Sequence, residues 1–550
     1  MTIDTPSSNQ PWWRTAVIYQ VYPRSFADAN GDGMGDLRGV INHLPYLAEL
    51  GVDALWLNPF YRSPQNDAGY DVADYDTVDP IFGSTADAEE LIVAAHNLNL
   101  KVIFDIVPNH TSSEHAWFQQ ALTTAPGTGI WDRYHCVRGS GKNGTEPPND
   151  WRSVFGGPAW TQIVNDADQE PTGWWYLHLF DATQPDVNWN SPAVRAEHER
   201  VLTYWFDRGV DGFRIDVAHG LVKTAGYPDS GEQERVLGID DDVPVLPQWD
   251  QPGVHDVYRS WRQLADSYTP PRMFCGEALV STPEAHAQYL REDELHTAFN
   301  FHYLRTRWDA PHLKETIDHS LVTADSVGAP CTWVLSNHDV RRHVTRLAPR
   351  DENGGYDTGV GVQRARAASL IMLALPGSAY LYQGEELGLP EVLDLPDERR
   401  QDPVFIRTGG QSLGRDGCRV PLPWTSTGDT FGFSSGHASW LPQPDYFAEL
   451  SVDAQDGDPD STLEMYRRAL ALRAQSSAMH SPRMRWLDSG EDVIRFTRLG
   501  TRSIEVAANL GREDVIIPAA ELLLGSSPTV TFGDSHITLP PNTAVWLTPR

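Results

Sequence analysis

The sequence predicts an α/β fold, a (β/α)8 barrel of the TIM type with an inserted subdomain after its third strand and a C-terminal antiparallel β-domain. Apolar runs alternate with helix-like stretches along most of the chain. Such runs are typical of parallel strands that are buried on both faces. We predict strands at residues 16–23, 54–60, 101–110, 212–217, 273–279, 298–303, 332–339 and 379–386.

Three acidic residues each follow one of these apolar runs: Asp216 in GFRIDVAHG, Glu277 in MFCGEAL and Asp339 in WVLSNHD. A carboxylate in such surroundings is costly to desolvate unless it is paired or used. Active sites of these barrels lie at the C-terminal ends of the strands, so we expect the three acids to meet there. For any one of them alone, a helix cap or a structural ion pair is an equal alternative.

Two spacings break the alternation and predict the domain boundaries. The long stretch between the third and fourth strands is rich in Trp, Gly and Pro, and it exceeds ordinary loop lengths. We therefore divide the chain into barrel residues 1–108 and 179–480, an inserted subdomain at 109–178 and a β-domain at 481–550. A second Gly/Pro/Trp-rich excursion, 387–445, follows the eighth strand, and alternating segments such as VIRFTRL predict the terminal β-domain.

Composition limits the function classes. The formal net charge of −32 over 550 residues argues against nucleic acid and anionic membranes as partners, because both require basic patches. It suits a neutral, uncharged substrate. The chain contains 19 Trp and 19 Tyr, whose first role is core packing, although a surplus also fits stacking on sugar rings.

The four cysteines and the N-terminus predict a cytoplasmic protein. Cys136, Cys275, Cys331 and Cys418 are scattered and form no CxxC motif, so we expect free thiols in a reducing compartment. The first residues, MTIDTPSSNQPWW, have neither a basic nor an apolar signal-peptide region. The longest apolar run is interrupted by Pro376-Gly377 and is too short to span a membrane.

A set of short motifs, in a fixed order, carries a family resemblance. They are DANGDGMGDL, SPQNDAGYD, DIVPNHT, GFRIDVAHG, GEAL, SNHD and QGEELG. With them the chain resembles the α-glucosidase branch of the α-amylase superfamily of retaining glycoside hydrolases, which includes the oligo-1,6-glucosidases. Two motifs depart from the family pattern: GRDGCRVPLPW replaces the common Arg-Thr-Pro-Met-Gln-Trp run, and DVAHG replaces Asp-Val-Ile-Asn.

The resemblance implies the catalytic roles. Asp216 would be the nucleophile, Glu277 the acid/base and Asp339 the third acid, which grips sugar hydroxyls and stabilises the oxocarbenium-like state. Arg214 precedes Asp216 by two residues, so both side chains leave a strand on the same side. That pairing is expected to keep Asp216 ionised.

The resemblance also implies a glycone pocket. Asp67 and Tyr70 would hold the terminal glucose, and Arg415 would pair with Asp67 to close the pocket, which makes such an enzyme exo-acting. Arg419 is a second candidate for that arginine, and Asp71 is expected to be structural. The remaining expected sugar-binding residues are His110 and His338, with Phe155 and Phe180 as walls.

The loop DANGDGMGDL predicts a structural cation. Asp28, Asn30, Asp32 and Asp36 alternate with other residues in a Gly-rich turn, and their oxygens suit Ca²⁺, with Mg²⁺ as the alternative. By the resemblance, the carbonyl of Met34 would be a further ligand. The competing interpretation is a hydrogen-bonded Asx turn. No organic cofactor is expected.

The leading functional hypothesis is an exo-acting α-glucosidase that releases glucose from maltose, malto-oligosaccharides or related short α-glucosides. Val217 resembles the α-1,6-cleaving members, so an oligo-1,6-glucosidase is the rival. A transglucosylase or sucrose-type isomerase would use the same covalent intermediate but exclude water. A non-catalytic binding protein on this scaffold is disfavoured, because all three acids are present. The sequence leaves the oligomeric state open.

Overall fold

The computed structural model describes residues 10–165, 170–231, 245–352, 354–533 and 535–549. Its centre is a parallel barrel, which confirms the predicted fold class. The barrel strands are β1 (Val17–Val21), β2 (Ala54–Leu57), β3 (Lys101–Ile106), β4 (Gly212–Ile215), β5 (Met273–Gly276), β6 (Thr297–Ala298), β7 (Thr332–Val334) and β8 (Ser378–Tyr382).

The strands are ordered β6-β5-β4-β3-β2-β1-β8-β7, each parallel to its neighbours. The backbone N–H of Asn300 donates to the carbonyl of Thr332 over 3.0 Å, which joins the region after β6 to β7 and closes the barrel. Almost every strand residue is buried, as expected for strands covered on both faces.

One predicted strand is largely wrong. Residues 298–303 were expected to be a strand, but β6 ends at Ala298 and a helix begins at Phe301. The side chain of Asn300 accepts the N–H of Tyr303 over 3.0 Å and so caps this helix. Other predicted strands also end early: β2 ends at Leu57 and β7 at Val334.

Helices surround the barrel and connect its strands. Several begin at strong caps: Ser84 and Asp87 form a reciprocal capping box at one N-terminus. The α-helices are Leu37–Leu50, Thr85–Asn97, Ala116–Leu122, Pro192–Asp207, Val254–Asp266, Pro283–Gln288, Phe301–Leu304, Ala310–Asp325, His343–Leu347, Thr358–Ala374, Pro403–Arg407, Val452–Gln455 and Thr462–Gln475. Short 3-10 helices lie at Trp12–Arg14, Pro23–Ser25, Trp131–Arg133, Lys142–Gly144, Asp397–Arg399, Asp416–Cys418 and Asp445–Ala448. No helix in the described part of the chain is long and apolar enough to cross a membrane.

The stretch between β3 and β4 contains a small antiparallel sheet. Its strands are Cys136–Arg138, Trp160–Val164 and Pro171–Leu177, with the last in the centre. A separate hairpin-like pair, Tyr61–Arg62 with Asp74–Val78, follows β2. Trp151, Phe155 and Phe180 from the β3–β4 stretch form one apolar cluster with Val217 and Trp249, and this cluster meets the barrel at its C-terminal end.

The C-terminal part is antiparallel, as predicted. One sheet has the order Met484–Trp486, Val493–Arg498, Ile504–Asn509, Thr543–Thr548, Glu521–Gly525, and a second has the order Val515–Pro518, His536–Leu539, Thr531–Phe532. The indole N–H of Trp546 donates to the carbonyl of Leu370 over 3.0 Å, which fastens the larger sheet to helix Thr358–Ala374.

Candidate active site

One pocket at the C-terminal end of the barrel collects the three predicted acids. Asp216 follows β4, Glu277 follows β5 and Asp339 comes shortly after β7, so the strand ends bring together residues far apart in sequence. The lining residues are Asp67, Tyr70, His110, Val154, Phe155, Phe180, Asp216, Val217, His219, Trp249, Glu277, Leu279, Phe301, Arg305, Asn337, Asp339, Val340 and Arg415.

Arg214 lies beneath the acids and joins two of them. Its Nη1 is 2.8 Å from Oδ1 of Asp216, and its Nη2 is 2.6 Å from Oε2 of Glu277. Two carboxyl groups that share one guanidinium are held close together. This suits the separation of about 5–5.5 Å in retaining glycosidases better than the about 6.5–9.5 Å of inverting ones.

The same guanidinium also holds Asp105, a residue that the sequence analysis did not select. Asp105, in β3, is fully buried, and its Oδ1 lies 2.9 Å from Nη1 of Arg214. Burial raises the pKa of Asp105 to about 7, against the opposing effect of Arg214. The signal was available, because Asp105 interrupts the apolar run KVIFDIVPNH.

Sharing Arg214 among three carboxyl groups alters the electrostatics of Asp216. Burial raises the pKa of Asp216 well above its usual value; Arg214 opposes this, while Glu277 and Asp105 add to it. Arg214 therefore favours the ionised form of Asp216, in the expected direction, but its charge is shared with Glu277 and Asp105.

The backbone next to Asp216 is strained. Val217 has a φ of 46°, in the left-handed region that β-branched residues rarely adopt. In this conformation its N–H donates to Oε2 of Glu277 over 3.2 Å. The strained turn thus links the two strand ends and brings the Val217 side chain to the pocket wall.

Asp339 lies among two arginines and a histidine. Arg415 Nη1 and Arg419 Nη2 lie 3.0 and 2.9 Å from its Oδ1, and His338 Nε2 lies 3.2 Å from its Oδ2. Burial opposes ionisation, but His338, Arg415 and Arg419 together hold the pKa of Asp339 below its usual value. Asp339 is therefore an anion at neutral pH.

An ion pair between Arg415 and Asp67 forms part of the pocket wall. Arg415 Nη2 lies 2.9 Å from Oδ1 of Asp67, and Gln184 donates to Oδ2 of Asp67 over 3.0 Å. The Arg415 guanidinium also lies 5.3 Å from the centre of the Phe155 ring. Arg419 contacts Asp339 and the carbonyl of His338 instead, at 2.9 and 2.8 Å.

Tyr70 forms part of the pocket wall, and two hydrogen bonds of its hydroxyl hold it in place. Its hydroxyl donates to Oδ2 of Asp105 over 3.0 Å and accepts from Asn58 over 2.6 Å. His338 stacks on its ring at 5.2 Å and 7°, so His338 supports the pocket and does not line it.

His110 lines the pocket directly. Its Nε2 lies 3.1 Å from the carbonyl of Tyr70 and from Nε2 of Gln184. Burial lowers the pKa of His110 to about 4, which leaves a neutral ring at neutral pH.

Asp71 lies outside the pocket lining. Its carboxylate accepts from the Ser63 hydroxyl over 2.8 Å and from the N–H groups of Asn66 and Asp67 over 2.8 and 3.2 Å. These bonds fix the shape of the loop that presents Asp67. Burial raises the pKa of Asp71 to about 6.

The oxygen-rich loop at 28–36 forms a chain of Asx turns. Asn30 and Asp32 each accept the N–H two residues on, at 2.9 and 2.8 Å, and Asp28 accepts three N–H groups of the loop. Asp36 caps helix Leu37–Leu50. In the described part of the chain no three Asp, Glu, His or Cys side chains converge as metal ligands. The donors are hard oxygens of the kind that Ca²⁺ prefers, and Asn30 and Asp32 each accept only one bond through their Oδ1. Both oxygens of Asp28 already accept two hydrogen bonds each, so a bound cation would have to replace some of them.

Several pocket residues were not selected from the sequence. They include Trp249, Leu279, Phe301, Asn337 and Val340. His219 stacks on Trp249 at 5.1 Å and 28°, and together they form an aromatic wall beside the acids. In the sequence, His219 is marked by its place in the motif GFRIDVAHG, which also contains Asp216, whereas Trp249 lies in none of the quoted motifs.

Comparisons with known proteins agree with this geometry. Residues 20–481 match the family model described as the catalytic domain of alpha-amylase. The chain is 36% identical over 503 residues to a probable alpha-glucosidase of Rhizobium meliloti, covering 89% of this chain and 87% of the relative. It is 35% identical over 536 residues to the trehalose-6-phosphate hydrolase of Escherichia coli, covering 91% of each.

Solved structures give the same result. The structure of an alpha-glucosyl transfer enzyme superimposes with a TM-score of 0.87 at 34% identity, covering 98% of this chain and 100% of that one. The likeness therefore includes the barrel, the β3–β4 stretch and the C-terminal sheets.

Proposed function

The chain belongs to the α-amylase family of glycoside hydrolases, and on that premise we propose an exo-acting retaining α-glucosidase. It releases glucose from the non-reducing ends of maltose, malto-oligosaccharides or related short α-glucosides. The observation that carries this proposal is that one pocket contains the Arg415–Asp67 ion pair and places Asp216 and Glu277 on one guanidinium. We propose that the ion pair closes one end of the pocket.

The geometry supports a double displacement. Asp216 attacks the anomeric carbon and forms a glycosyl ester, while Glu277 gives a proton to the departing oxygen. Glu277 then takes a proton from water as that water attacks the ester, which frees Asp216 and yields glucose with its α-configuration retained. The anion Asp339 binds sugar hydroxyls and stabilises positive charge on the ring in both transition states.

The remaining residues bind the glucose ring. Asp67 and Arg415 take the outer hydroxyls, Tyr70 offers a stacking face, and neutral His110 can donate or accept at one more hydroxyl. A pocket blocked at this end admits only a terminal residue. Arg214 and His338 act from behind this surface, and Phe155 and Phe180 form its apolar wall.

The type of glycosidic bond that is cleaved and the acceptor of the glucosyl group are two further parts of the proposal. Val217 beside the nucleophile favours α-1,6 bonds by resemblance, whereas the following Ala218-His219 fits neither pattern, so α-1,4 maltose-type substrates are proposed with α-1,6 as the alternative. Transglucosylation is the second candidate function, because the structural neighbour at TM-score 0.87 is a glucosyl transfer enzyme. Exclusion of water from the ester would favour it.

We further propose that Asp28, Asn30, Asp32, Asp36 and the Met34 carbonyl hold Ca²⁺, with Mg²⁺ as the alternative. The support is their hard oxygen donors in one tight turn. The ion would stabilise the loop through its attraction to the carboxylates, and no catalytic step requires it. A cytoplasmic location is proposed from the four unpaired thiols, of which Cys275, Cys331 and Cys418 are buried.

Product analysis tests the proposed function. The purified protein is incubated with maltose, isomaltose, sucrose and trehalose 6-phosphate at low and high concentration, and with soluble starch. Glucose release from a disaccharide with little loss of iodine staining supports an exo-glucosidase. Rapid loss of staining without matching glucose would indicate an open endo-type cleft, and new oligosaccharides at high concentration would indicate transfer.

A further inference from the structure

Asp402 is a buried carboxylate that lies behind the closed end of the pocket. Its Oδ2 lies 2.5 Å from Nε of Arg415 and accepts the backbone N–H of Arg415 over 3.2 Å. Its Oδ1 accepts the N–H of Val404 over 2.7 Å and so caps helix Pro403–Arg407. Asp402 is 1% exposed, and it does not line the pocket.

Arg415 is thereby held by three carboxylates at once. Nε contacts Asp402, Nη1 contacts Asp339 at 3.0 Å and Nη2 contacts Asp67 at 2.9 Å. The two outer contacts face the substrate, whereas the contact with Asp402 is on the protein side. Asp402 therefore fixes the orientation of the Arg415 guanidinium plane, because a planar guanidinium that is bound at Nε has little freedom to rotate.

Asp402 is itself fixed in place. Its own N–H and that of Gln401 donate to Oδ2 of Asp416 over 3.0 and 2.7 Å. Burial opposes ionisation of Asp402, but Arg415 and Arg419 outweigh it and lower its pKa.

We propose that Asp402 is a positioning residue for glucose binding: it holds Arg415 so that Arg415 presents Asp67 and Asp339 to the terminal sugar. The inference rests on the proposed α-glucosidase function. It concerns a residue that acts through Arg415 and does not touch the substrate.

The two oxygens of Asp402 explain why a carboxylate is needed. One oxygen caps the helix and the other serves Arg415, and both partners are donors. Asparagine has only one acceptor oxygen, so it can cap the helix or accept from Arg415 but not both. Asparagine and serine cap helices as well as aspartate does, so either can preserve the helix while Arg415 loses its partner.

The capped helix also ties two pocket walls together. Val404 packs in the apolar cluster of Phe155 and Phe180. At the other end of the helix, Arg407 Nη1 lies 2.9 Å from Oδ2 of Asp181, the neighbour of Phe180. A substitution of Asp402 should therefore affect substrate binding mainly through Arg415. A smaller effect should come through the helix and the aromatic wall of Phe155 and Phe180.

The test compares Asp402→Asn and Asp402→Ser with Asp309→Asn. Asp309 caps helix Ala310–Asp325 in the same way, accepting the N–H of His312 over 2.9 Å, but it is exposed and lies outside the pocket lining. For each variant, kcat and KM on the best disaccharide, the inhibition constant of glucose and the melting temperature are measured.

Both Asp402 variants should raise KM and the glucose inhibition constant by about tenfold, the effect of losing one charge-assisted hydrogen bond. The fall in kcat should be smaller, and Asp309→Asn should change neither constant. In an Arg415→Gln background, Asp402→Asn should add nothing further.

Unchanged glucose binding in a folded Asp402 variant, or full additivity with Arg415→Gln, would overturn the proposal. If one variant fails to fold, the other provides the same comparison. A wild-type protein that released no glucose from any substrate would instead overturn the proposed function, so the two failures can be told apart.

Discussion

Arg214 Nη2 lies 2.6 Å from Oε2 of Glu277, while Nη1 of the same guanidinium lies 2.8 Å from Oδ1 of Asp216. The proposed nucleophile and the proposed proton donor are thus held by one planar group. Their separation is set by the guanidinium and by two neighbouring strands, β4 and β5, which pair residue for residue.

Replacing Asp216 with Asn should abolish turnover, by about 10⁴–10⁶-fold, as for other nucleophile knock-outs, because an amide cannot form the glycosyl ester. The melting temperature should not fall, since one of three carboxyl groups competing for Arg214 is removed. Steady-state rates and thermal melting of both proteins provide the check. A folded variant with near-native rates would contradict the nucleophile assignment.

Glu277→Gln should separate substrates by their leaving groups. Maltose requires protonation of a poor leaving group and should lose about 10²–10⁴ in rate, whereas an aryl α-glucoside with an acidic phenol should lose much less. The measurement is kcat/KM on both substrates. An equal loss on both would count against the acid/base role.

Asp105→Asn should move the acid limb of the pH–rate profile to lower pH. Asp216 attacks as the carboxylate, so kcat/KM rises with pH through its pKa in the free enzyme. Burial is the main cause of the raised pKa of Asp216, and the Asp105 carboxylate adds to it. Removing that charge also leaves Arg214 freer to pair with Asp216, so both effects lower the pKa.

The check is kcat/KM against pH for both proteins, with a substrate of good leaving group. An acid limb that stays in place, or one that moves to higher pH, would show that Asp105 does not act on the ionisation of Asp216.

Removal of the proposed cation should lower the melting temperature without stopping catalysis. A cation bound only by the folded loop stabilises the protein by mass action. Chelation should therefore reduce the melting temperature, added Ca²⁺ should restore it, and Asp32→Ala should reproduce the chelated state. Immediate loss of activity with unchanged melting would instead assign the ion to catalysis, and no response in either would leave the loop as an Asx turn.

The sequence predicts the catalytic acids better than it predicts the ends of the strands. Asp216, Glu277 and Asp339 were identifiable because each follows an apolar run, and parallel strands carry such residues to one rim. The early end of β6 was missed, because Asn300 starts a helix within a run that looks strand-like. Asp105 was overlooked within the run of β3, and Asp402 could not be selected, since its partner Arg415 is reached only through the folded excursion after β8.

Val217, His219 and Trp249 form one wall of the pocket, although Trp249 is distant from the other two in sequence. A sequence motif fixes Val217 and His219 but not the approach of Trp249, so the shape of this wall could not be derived before the structure.

The most direct test of the central claim is proton NMR of maltotriose hydrolysis from the moment of mixing. An exo-acting retaining α-glucosidase releases glucose and maltose, and the first glucose to appear is the α-anomer, which mutarotates only later. We predict that result. Initial β-glucose in excess of the anomeric equilibrium would contradict the shared-guanidinium geometry of Asp216 and Glu277 as a retaining pair. Newly formed α-maltose, with glucose at its anomeric equilibrium, would contradict the closed pocket of Asp67 and Arg415.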